Sequence, residues 1–204
     1  AIILALIDNA GSVEYVFDKE TYSYKRSDVE KKYNIVLSKQ SKDFKTFEKF
    51  YKKVFNDYKM GKILRILAGT NVENPADNVV VISDEKLKQK GNIEVFEKDA
   101  GKGQVSALSV IRYTAEGDPI VTAVYYDGKR FYLLEDDSRD KFRGNGEAYT
   151  QHKFEYLKIF EENGYRHYYL VNDKNVTYDE LFKGMLSSRY GDYIPNYPLA
   201  SYEI

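Results

Sequence analysis

The chain has 204 residues, of which 43% are hydrophobic and 31% are charged, and its formal net charge is −1 at pH 7. This composition can fill the core of one large domain or two small ones, and it excludes disorder along the whole length. The net charge argues against nucleic-acid binding, and the absence of cysteine excludes disulfides, thiol catalysis and cysteine-ligated zinc.

The charge is distributed unevenly along the chain. Residues 1–70 contain 14 Lys and Arg against 9 Asp and Glu, and the remaining residues contain 17 against 23. Either the basic and acidic halves attract each other, or the charges only reflect solvated surfaces. The longest apolar run covers residues 2–7, which is too short to span a membrane.

The first residues predict the interior of a strand, although the sequence begins with Ala1 and not with methionine. We therefore expect the precursor to contain a segment upstream of Ala1, such as a signal peptide. The lack of cysteine leaves the compartment open, because it fits both a cytosolic protein and a secreted one from an organism that uses few disulfides.

An amphipathic helix is predicted for the segment SKDFKTFEKFYKKVFNDYK, residues 41–59, with Ser41 as its N-cap. Apolar side chains recur every three or four residues and lysines occupy the opposite side, so we expect a sheet under the apolar face. The apolar residues are Phe44, Phe47, Tyr51, Val54, Phe55 and Tyr58. The segment KILRILA, residues 62–68, predicts a strand after this helix.

A domain boundary is predicted in the turn-rich stretch GTNVENPADN, residues 69–78. We place an N-terminal α+β unit at residues 1–72 and a C-terminal α+β unit at residues 73–204. The C-terminal unit begins with the strand VVVIS, and NIEVFEKDAGKG predicts a shorter helix ahead of the main sheet.

A three-stranded meander is predicted at residues 106–114, 119–126 and 130–135. The middle strand has apolar residues or β-formers at both parities, which is typical of a strand covered on both faces. Asp127 and Gly128 predict the turn into the third strand, because this pair tolerates positive φ at both central positions.

The start of the chain resembles this meander in its hydrophobic pattern. An alignment without gaps puts Ile2 on Ile111, and residues 15–17 on residues 124–126. Identical residues are few, so the sequence leaves open whether the two halves are a duplication or only share a common strand pattern.

A second hairpin is predicted for KFEYLKIFEENGYRHYYLVN, with its turn at Glu162, Asn163 and Gly164. Thr177 and Glu180 stand in capping-box register, which predicts a short helix after them. The tail from residue 190 is expected either to be extended and docked on the surface or to be frayed. The fold class is therefore α+β, with antiparallel meander and hairpin sheets that are each packed by a helix.

A linked set of turns in the C-terminal unit resembles a known family. Its pattern is I-R-x-x-x-x-E-G-D-P-I, then Y-D-G-K, then D-x-S-R-D-x-F, found here at Ile111-Arg112, Glu116–Ile120, Tyr126–Lys129 and Asp136–Phe142. The chain resembles small, uncharacterised surface lipoproteins of Gram-positive bacilli, a domain of unknown function, over about residues 77–171. The resemblance implies an extracytoplasmic location, with membrane contact only through a lipidated cysteine ahead of Ala1. It assigns no catalytic residues.

Residues with metal-binding or phosphate-binding potential are few. His152 and His167 are expected near each other on paired strands, but a zinc site needs a third ligand, such as Glu155 or Glu161, and no zinc motif is present. We interpret both as surface histidines beside tyrosines. The segment DAGKGQ, residues 99–104, lacks the frame of a phosphate-binding loop and is interpreted as a turn.

The acidic segment EDDSRD, residues 135–140, is a candidate calcium or general-acid site, but it lacks the EF-hand frame. We interpret it as a helical turn that is capped by Asp136 or Asp137. In this interpretation Asp140 pairs with a basic neighbour and Phe142 fills the core.

The 20 tyrosines of the chain are its most unusual feature. Tyrosine suits recognition of protein or glycan because it offers a large contact area with a polar tip, although it also serves as a plain β-former. We expect a non-enzymatic binding protein without catalytic residues, cofactor or metal, whose partner is a protein or a cell-wall glycan. The alternative hypothesis is a hydrolase that uses Glu116, Asp118 and Asp136 in a cleft between the two units.

Overall fold

The computed structural model describes residues 2–7, 9–16, 21–70, 78–83, 86–187 and 193–204. It has the predicted α+β class. The chain divides into two compact units, Ala1–Met60 and Gly61–Ile204, and the predicted boundary at residues 72 and 73 lies outside the described residues. No described helix is both long enough and apolar enough to cross a membrane.

The described residues of unit 1 form three α-helices and one antiparallel strand pair. The elements are α1 (Ile2–Leu6), β1 (Ser12–Val16), β2 (Thr21–Lys25), α2 (Arg26–Tyr33), a 3₁₀ turn (Leu37–Lys39) and the first part of α3 (Phe44–Ala68). Its core consists of Leu4, Ala5, Val29, Tyr33, Leu37 and Phe50. Arg26 fixes the end of α1, because its guanidinium donates to the carbonyls of Leu4 (2.7 Å) and Ile7 (2.5 Å).

Two segments predicted as strands are helices. Residues 2–6 form α1, and residues 62–68 continue α3 without interruption. Leu64 and Ala68 are buried while Ile66 is exposed, which is the spacing of a helix face and not the alternation of a strand. Short apolar runs do not distinguish the two structures by themselves. The alignment without gaps pairs α1 with the strand around Ile111, so these two segments differ in secondary structure. The duplication stays a prediction.

The buried face of α3 also differs from the predicted one. Phe50 is buried and Val54 partly buried in the core of unit 1, whereas most of the predicted apolar stripe is exposed. The helix begins at Phe44, and its cap is Asp43, which accepts the N–H of Thr46 at 2.8 Å. The prediction of Ser41 as N-cap was wrong because Asp43 stands in the position from which a side chain reaches the third helical N–H.

The large sheet of unit 2 contains the predicted meander. Its strands, in spatial order, are β4 (Lys86–Lys88), β3 (Val79–Ser83), β5 (Ser106–Tyr113), β6 (Pro119–Tyr126), β7 (Phe131–Asp136) and β8 (Tyr149–Phe154). The pair β3–β5 is parallel, and helix α4 (Lys90–Gly101) lies between them in the chain. The other pairs are antiparallel. The β6–β7 turn has Gly128 (φ 91°) and Lys129 at its centre, one residue later than predicted, since the N–H of Asp127 donates to the carbonyl of Arg130.

A second sheet of three strands follows in the order β11 (Asn196–Glu203), β10 (Tyr165–Val171) and β9 (Tyr156–Glu162). The predicted turn is confirmed, because Asn163 and Gly164 both have positive φ (53° and 80°). The predicted capping box is confirmed at the start of α5 (Tyr178–Leu186), and the tail is extended where it forms β11.

The central strands of the large sheet are buried on both faces. One face packs against Ile93 and Phe96 of α4 and against Tyr168, Leu170 and Leu199 of the small sheet. The other packs against Leu64, Leu67 and Ala68 at the end of α3. This two-sided cover explains why four consecutive residues of β5 and of β6 are buried.

Strand β11 is attached to the large sheet by a half-buried arginine. The pairing of β10 and β11 shifts by one residue between Tyr168 and Tyr169, which leaves Leu199 as the extra residue of a bulge. The guanidinium of Arg112 on β5 donates to the carbonyls of Pro198 (2.6 Å) and Leu199. Arg112 therefore satisfies the carbonyls that the bulge removes from the strand ladder.

We predict that Arg112→Met lowers the free energy of unfolding by about 2–4 kcal/mol, because it leaves these carbonyls without their charged donor while retaining the apolar stem. Urea unfolding measures the loss, and hydrogen exchange of residues 196–203 locates it. Arg143→Met is the matched control, because Arg143 bonds only locally to Gly146 in an exposed loop, and we expect it to change stability by less than about 0.5 kcal/mol. Equal stability of the two variants would contradict the role of Arg112.

Candidate functional site

Two of the three carboxylates of the hydrolase hypothesis, Asp118 and Asp136, are engaged in structural contacts. Glu116 is exposed, and Asp118 and Asp136 are buried at the same end of the β6–β7 hairpin. Asp118 accepts the backbone N–H of Lys141 at 3.0 Å and pairs with its ammonium group at 3.1 Å. Its oxygens therefore already have partners of opposite charge.

The electrostatics of Asp118 do not suit a general acid. The backbone N–H and the ammonium group of Lys141 lower the pKa of Asp118 below its usual value. A carboxyl group that donates a proton at neutral pH needs a raised pKa, which burial without a partner provides. Asp118 is therefore an ionised anchor for the loop that contains Lys141.

Asp136 connects the acidic segment to the end of α3. It accepts the N–H of Ser138 (2.9 Å) and the guanidinium of Arg139 (3.1 Å), and Arg139 also donates to the carbonyl of Ala68 at 2.7 Å. Asp136 closes a turn as predicted, but the turn is not helical: residues 137–142 form hydrogen-bonded turns, in which the N–H of Asp140 donates to the carbonyl of Asp137 at 2.9 Å. Arg139 acts on the last turn of α3, where free carbonyls favour a cation.

The prediction that Phe142 fills the core was wrong. Its side chain is 74% exposed, because residues 141–147 form a surface loop. Asp140 accepts the N–H of Phe142 at 2.8 Å, so it closes a local turn, and the ammonium group of Lys141 pairs with Asp118.

The two histidines lie in different sheets. His152 is on β8 of the large sheet and His167 is on β10 of the small one, so the expectation of paired strands was wrong. The chain leaves the large sheet after β8 and enters the small sheet at β9, with Glu155 between the two strands. The predicted single hairpin did not include this change of sheet. Among the described residues, no three His, Asp or Glu side chains are grouped as metal ligands.

The segment DAGKGQ forms the end of α4 and the turn after it. The N–H groups of Lys102, Gly103 and Gln104 donate to helix carbonyls at Lys98, Asp99 and Ala100. These N–H groups are therefore occupied and do not point toward a ligand, which confirms the interpretation as a turn.

The most extensive feature of unit 2 that suits binding is an aromatic ladder formed by Tyr165, His167, Tyr178 and Phe182. Tyr165 and His167 lie on one face of β10, and Tyr178 and Phe182 lie one helical turn apart on α5. Successive ring centroids are 6.1, 4.8 and 6.2 Å apart, with interplanar angles of 30°, 28° and 15°. The rings thus form one row of stacked pairs.

The small sheet supports the ladder through further contacts with its rings. Tyr178 also contacts the rings of Phe160 on β9 (5.7 Å) and Tyr169 on β10 (6.3 Å). His167 Nδ1 is 2.8 Å from the hydroxyl of Ser201 on β11. The capping box at Thr177 fixes the first turn of α5, so the ladder stands on hydrogen-bonded elements on both sides.

A polar network on the other face of the small sheet was not predicted. Arg166 donates to both carboxylate oxygens of Glu97 on α4 (2.8 and 3.0 Å), and Tyr168 donates to Glu97 at 2.9 Å. Tyr168 is fully buried, and burial raises the pKa of its hydroxyl, which therefore stays protonated as a donor. The partners are about 70 residues apart, so no local pattern could have identified them.

A groove of about 450 Å³ lies beside this network, between α4 and the two sheets. Tyr126 and Phe131, whose rings stack at 4.4 Å, form part of its wall together with Tyr156. Glu97 also lines the groove, but Arg166 and Tyr168 already occupy its oxygens. The lining of the groove is chiefly apolar, and Lys98 and Glu155 are its other charged residues.

The comparisons with known proteins identify part of unit 2. Residues 76–168 match the profile of a family described as a domain of unknown function (DUF4362). No curated protein and no solved structure matches the chain. The predicted resemblance to a domain of unknown function is confirmed over this stretch, which contains the meander, α4 and the first two rings of the ladder, whereas lipoprotein character and bacterial origin stay predictions.

We predict that Asp118→Asn destabilises the protein at pH 7 and that this difference shrinks as the pH falls below about 4. The folded pKa of Asp118 is lowered, so the ionised group stabilises the fold above the unfolded pKa. That contribution is lost as the pH falls through the folded pKa. Urea unfolding at pH 7, 4 and 3 measures the effect, with Glu116→Gln as the exposed control. A difference that is independent of pH would contradict this role.

Proposed function

We propose that this protein is a non-enzymatic binding protein that contacts a protein partner through the aromatic ladder. The observation behind the proposal is the exposure of the ladder, whose end rings Tyr165 and Phe182 are 45% and 48% exposed. Aromatic side chains are enriched at protein interfaces because they bury a large area at a small entropic cost. Met185 and Leu186 extend the exposed apolar area along α5.

A protein partner suits the ladder better than a glycan does. Sugar rings bind aromatic residues by lying flat on a free ring face. Here His167 and Tyr178 have neighbouring rings on their faces, so chiefly ring edges and the two ends of the row are accessible. Ring edges and apolar side chains fit the side chains of a protein surface.

The support under the ladder favours tight binding. Its rings stand on a paired strand and on a capped helix, and Tyr178 packs against two further rings. Side chains that are already ordered lose little conformational entropy on association. The ladder therefore meets the requirement of a preorganised interface.

We propose an extracytoplasmic location for the same protein, on the basis of the sequence resemblance described above. A precursor at the cell surface would meet the partner outside the cell.

We predict that a photo-crosslinking amino acid at position 182 gives a discrete adduct with one partner protein, and that the same group at position 142 does not. Both positions carry exposed phenylalanines in unit 2, so they differ mainly in their distance from the ladder. Mass spectrometry of the adduct identifies the partner. Equal adduct patterns from the two positions would contradict the proposal.

With that partner in hand, Tyr165→Ser and Phe182→Ser should each weaken binding by about tenfold or more, which is the usual effect of removing an interface aromatic. Isothermal titration calorimetry measures the affinity, and Phe142→Ser is the matched control that should bind like the unmodified protein. Unchanged affinity of both ladder variants for the partner would contradict binding through the ladder, and loss of binding to purified cell-wall glycan in these variants would contradict the proposal of a protein partner.

The location is tested with the full-length precursor carrying a C-terminal tag. We expect protease added to intact cells to digest the tagged protein, since an extracytoplasmic protein is accessible, while a cytosolic marker stays intact. Recovery of the tagged protein in the cytosolic fraction would contradict the location without affecting the binding proposal.

A further inference from the structure

Helix α3 bears an aromatic stripe that the described residues of unit 1 leave largely exposed. The stripe consists of Phe44, Phe47, Tyr51, Phe55 and Tyr58, which follow one another at spacings of three and four residues. Phe44 is 81% and Tyr58 is 67% exposed. Large exposed rings in a row are uncommon on a soluble surface and indicate an interaction site.

The stripe is separate from the face that α3 uses for folding. Phe50 and Val54 pack into the core of unit 1, and the stripe runs along a neighbouring side of the helix. Its rings contact one another, since Phe47 and Tyr51 are 6.5 Å apart and Tyr51 and Phe55 are stacked at 6.1 Å. At 1.5 Å per residue the stripe is about 21 Å long.

The same helix is strongly basic. It contains seven Lys and Arg against two carboxylates, Glu48 and Asp57. Lys52 pairs with Glu48 at 2.7 Å, and Asp57 interacts with the hydroxyl of Tyr33. Lys45, Lys49 and Lys53 form a row beside Phe50 and line a basin whose lining residues include no carboxylate. Asp43 lies close by, where it is bound to Thr46 at the helix cap.

Charge decides which surface fits the stripe. A second copy of the chain would bring the same excess of cations against the first, which opposes pairing through α3. A neutral apolar partner would leave the lysines without a counterpart. An anionic lipid surface matches both features, because aromatic rings favour the interfacial region of a bilayer and lysines favour anionic headgroups.

We propose that the aromatic stripe binds the surface of an anionic lipid bilayer, with α3 lying in the plane of the interface. A helix with aromatic residues on one side and lysines on its polar side is typical of interfacial binding. The rings enter the headgroup region, and the flexible lysine side chains reach the phosphate groups around them. This surface lies in unit 1 and is independent of the aromatic ladder.

The test uses the absence of tryptophan from the chain. Phe55→Trp places one fluorophore in the stripe, and Phe142→Trp places one at an exposed position of unit 2. With vesicles of phosphatidylglycerol and phosphatidylcholine, the emission of Trp at position 55 should shift to the blue and be quenched by brominated lipid chains. The emission of Trp at position 142 should stay unchanged, and so should both with phosphatidylcholine alone.

Two sets of variants separate the contributions of rings and charges. Phe55→Ser, and the triple change Lys45→Gln, Lys49→Gln and Lys59→Gln, should each weaken vesicle binding by about tenfold or more, and added salt should weaken it further. The controls are Phe142→Ser, which removes an exposed ring from unit 2, and the triple change Lys86→Gln, Lys88→Gln and Lys98→Gln, which removes the same number of charges from unit 2. Cooperative urea unfolding of each variant establishes that it is folded.

Three results would overturn the proposal. One is unchanged emission of Trp at position 55 with anionic vesicles. Another is equal binding to neutral and anionic vesicles. The third is a blue shift that appears without vesicles and rises with protein concentration together with a dimer in light scattering, because this would identify a second copy as the occupant.

Discussion

Unit 2 depends on the burial of its central strands from both sides. Residues 108–111 of β5 and 121–124 of β6 are buried without interruption, so each face of the sheet needs its own cover. Helix α4 and the small sheet supply one cover, and the end of α3 supplies the other. The C-terminal strand and the last turns of α3 are therefore parts of one folding unit, although more than 120 residues separate them.

This burial also explains why the acidic residues are structural. The covering elements end at the edge of the sheet, where their backbone groups and nearby charged side chains are partly removed from water. These groups therefore need hydrogen-bond or ion-pair partners within the protein. Arg112 satisfies the carbonyls of the β11 bulge, Arg139 joins Asp136 to the end of α3, and Lys141 neutralises Asp118. A buried carboxylate without a partner at these positions would lower the free energy of unfolding by more than either ion pair raises it. Asp118 and Asp136 therefore stabilise contacts between the elements of unit 2.

Local signals predicted the elements well, and long-range packing did not follow from them. The meander, the Asn163-Gly164 turn and the capping box at Thr177 depend on neighbouring residues, and all three are present. The prediction of a strand at residues 62–68 was wrong because a short apolar run fits either a helix or a strand, and the packing around it decides between them. The aromatic ladder joins β10 to α5, and no sequence spacing relates His167 to Tyr178 before the sheet brings them together.

The two aromatic surfaces differ because their supports differ. In the ladder the rings cover one another on a sheet and a capped helix, which leaves a shaped edge. On α3 the rings follow one side of a helix that also contains seven of the 14 Lys and Arg of residues 1–70. The basic residues of this region are therefore concentrated on α3, which contains half of them. In the two proposals, the shaped edge of the ladder would select a partner by fit, whereas the aromatic stripe and the lysines of α3 would select a lipid surface by charge.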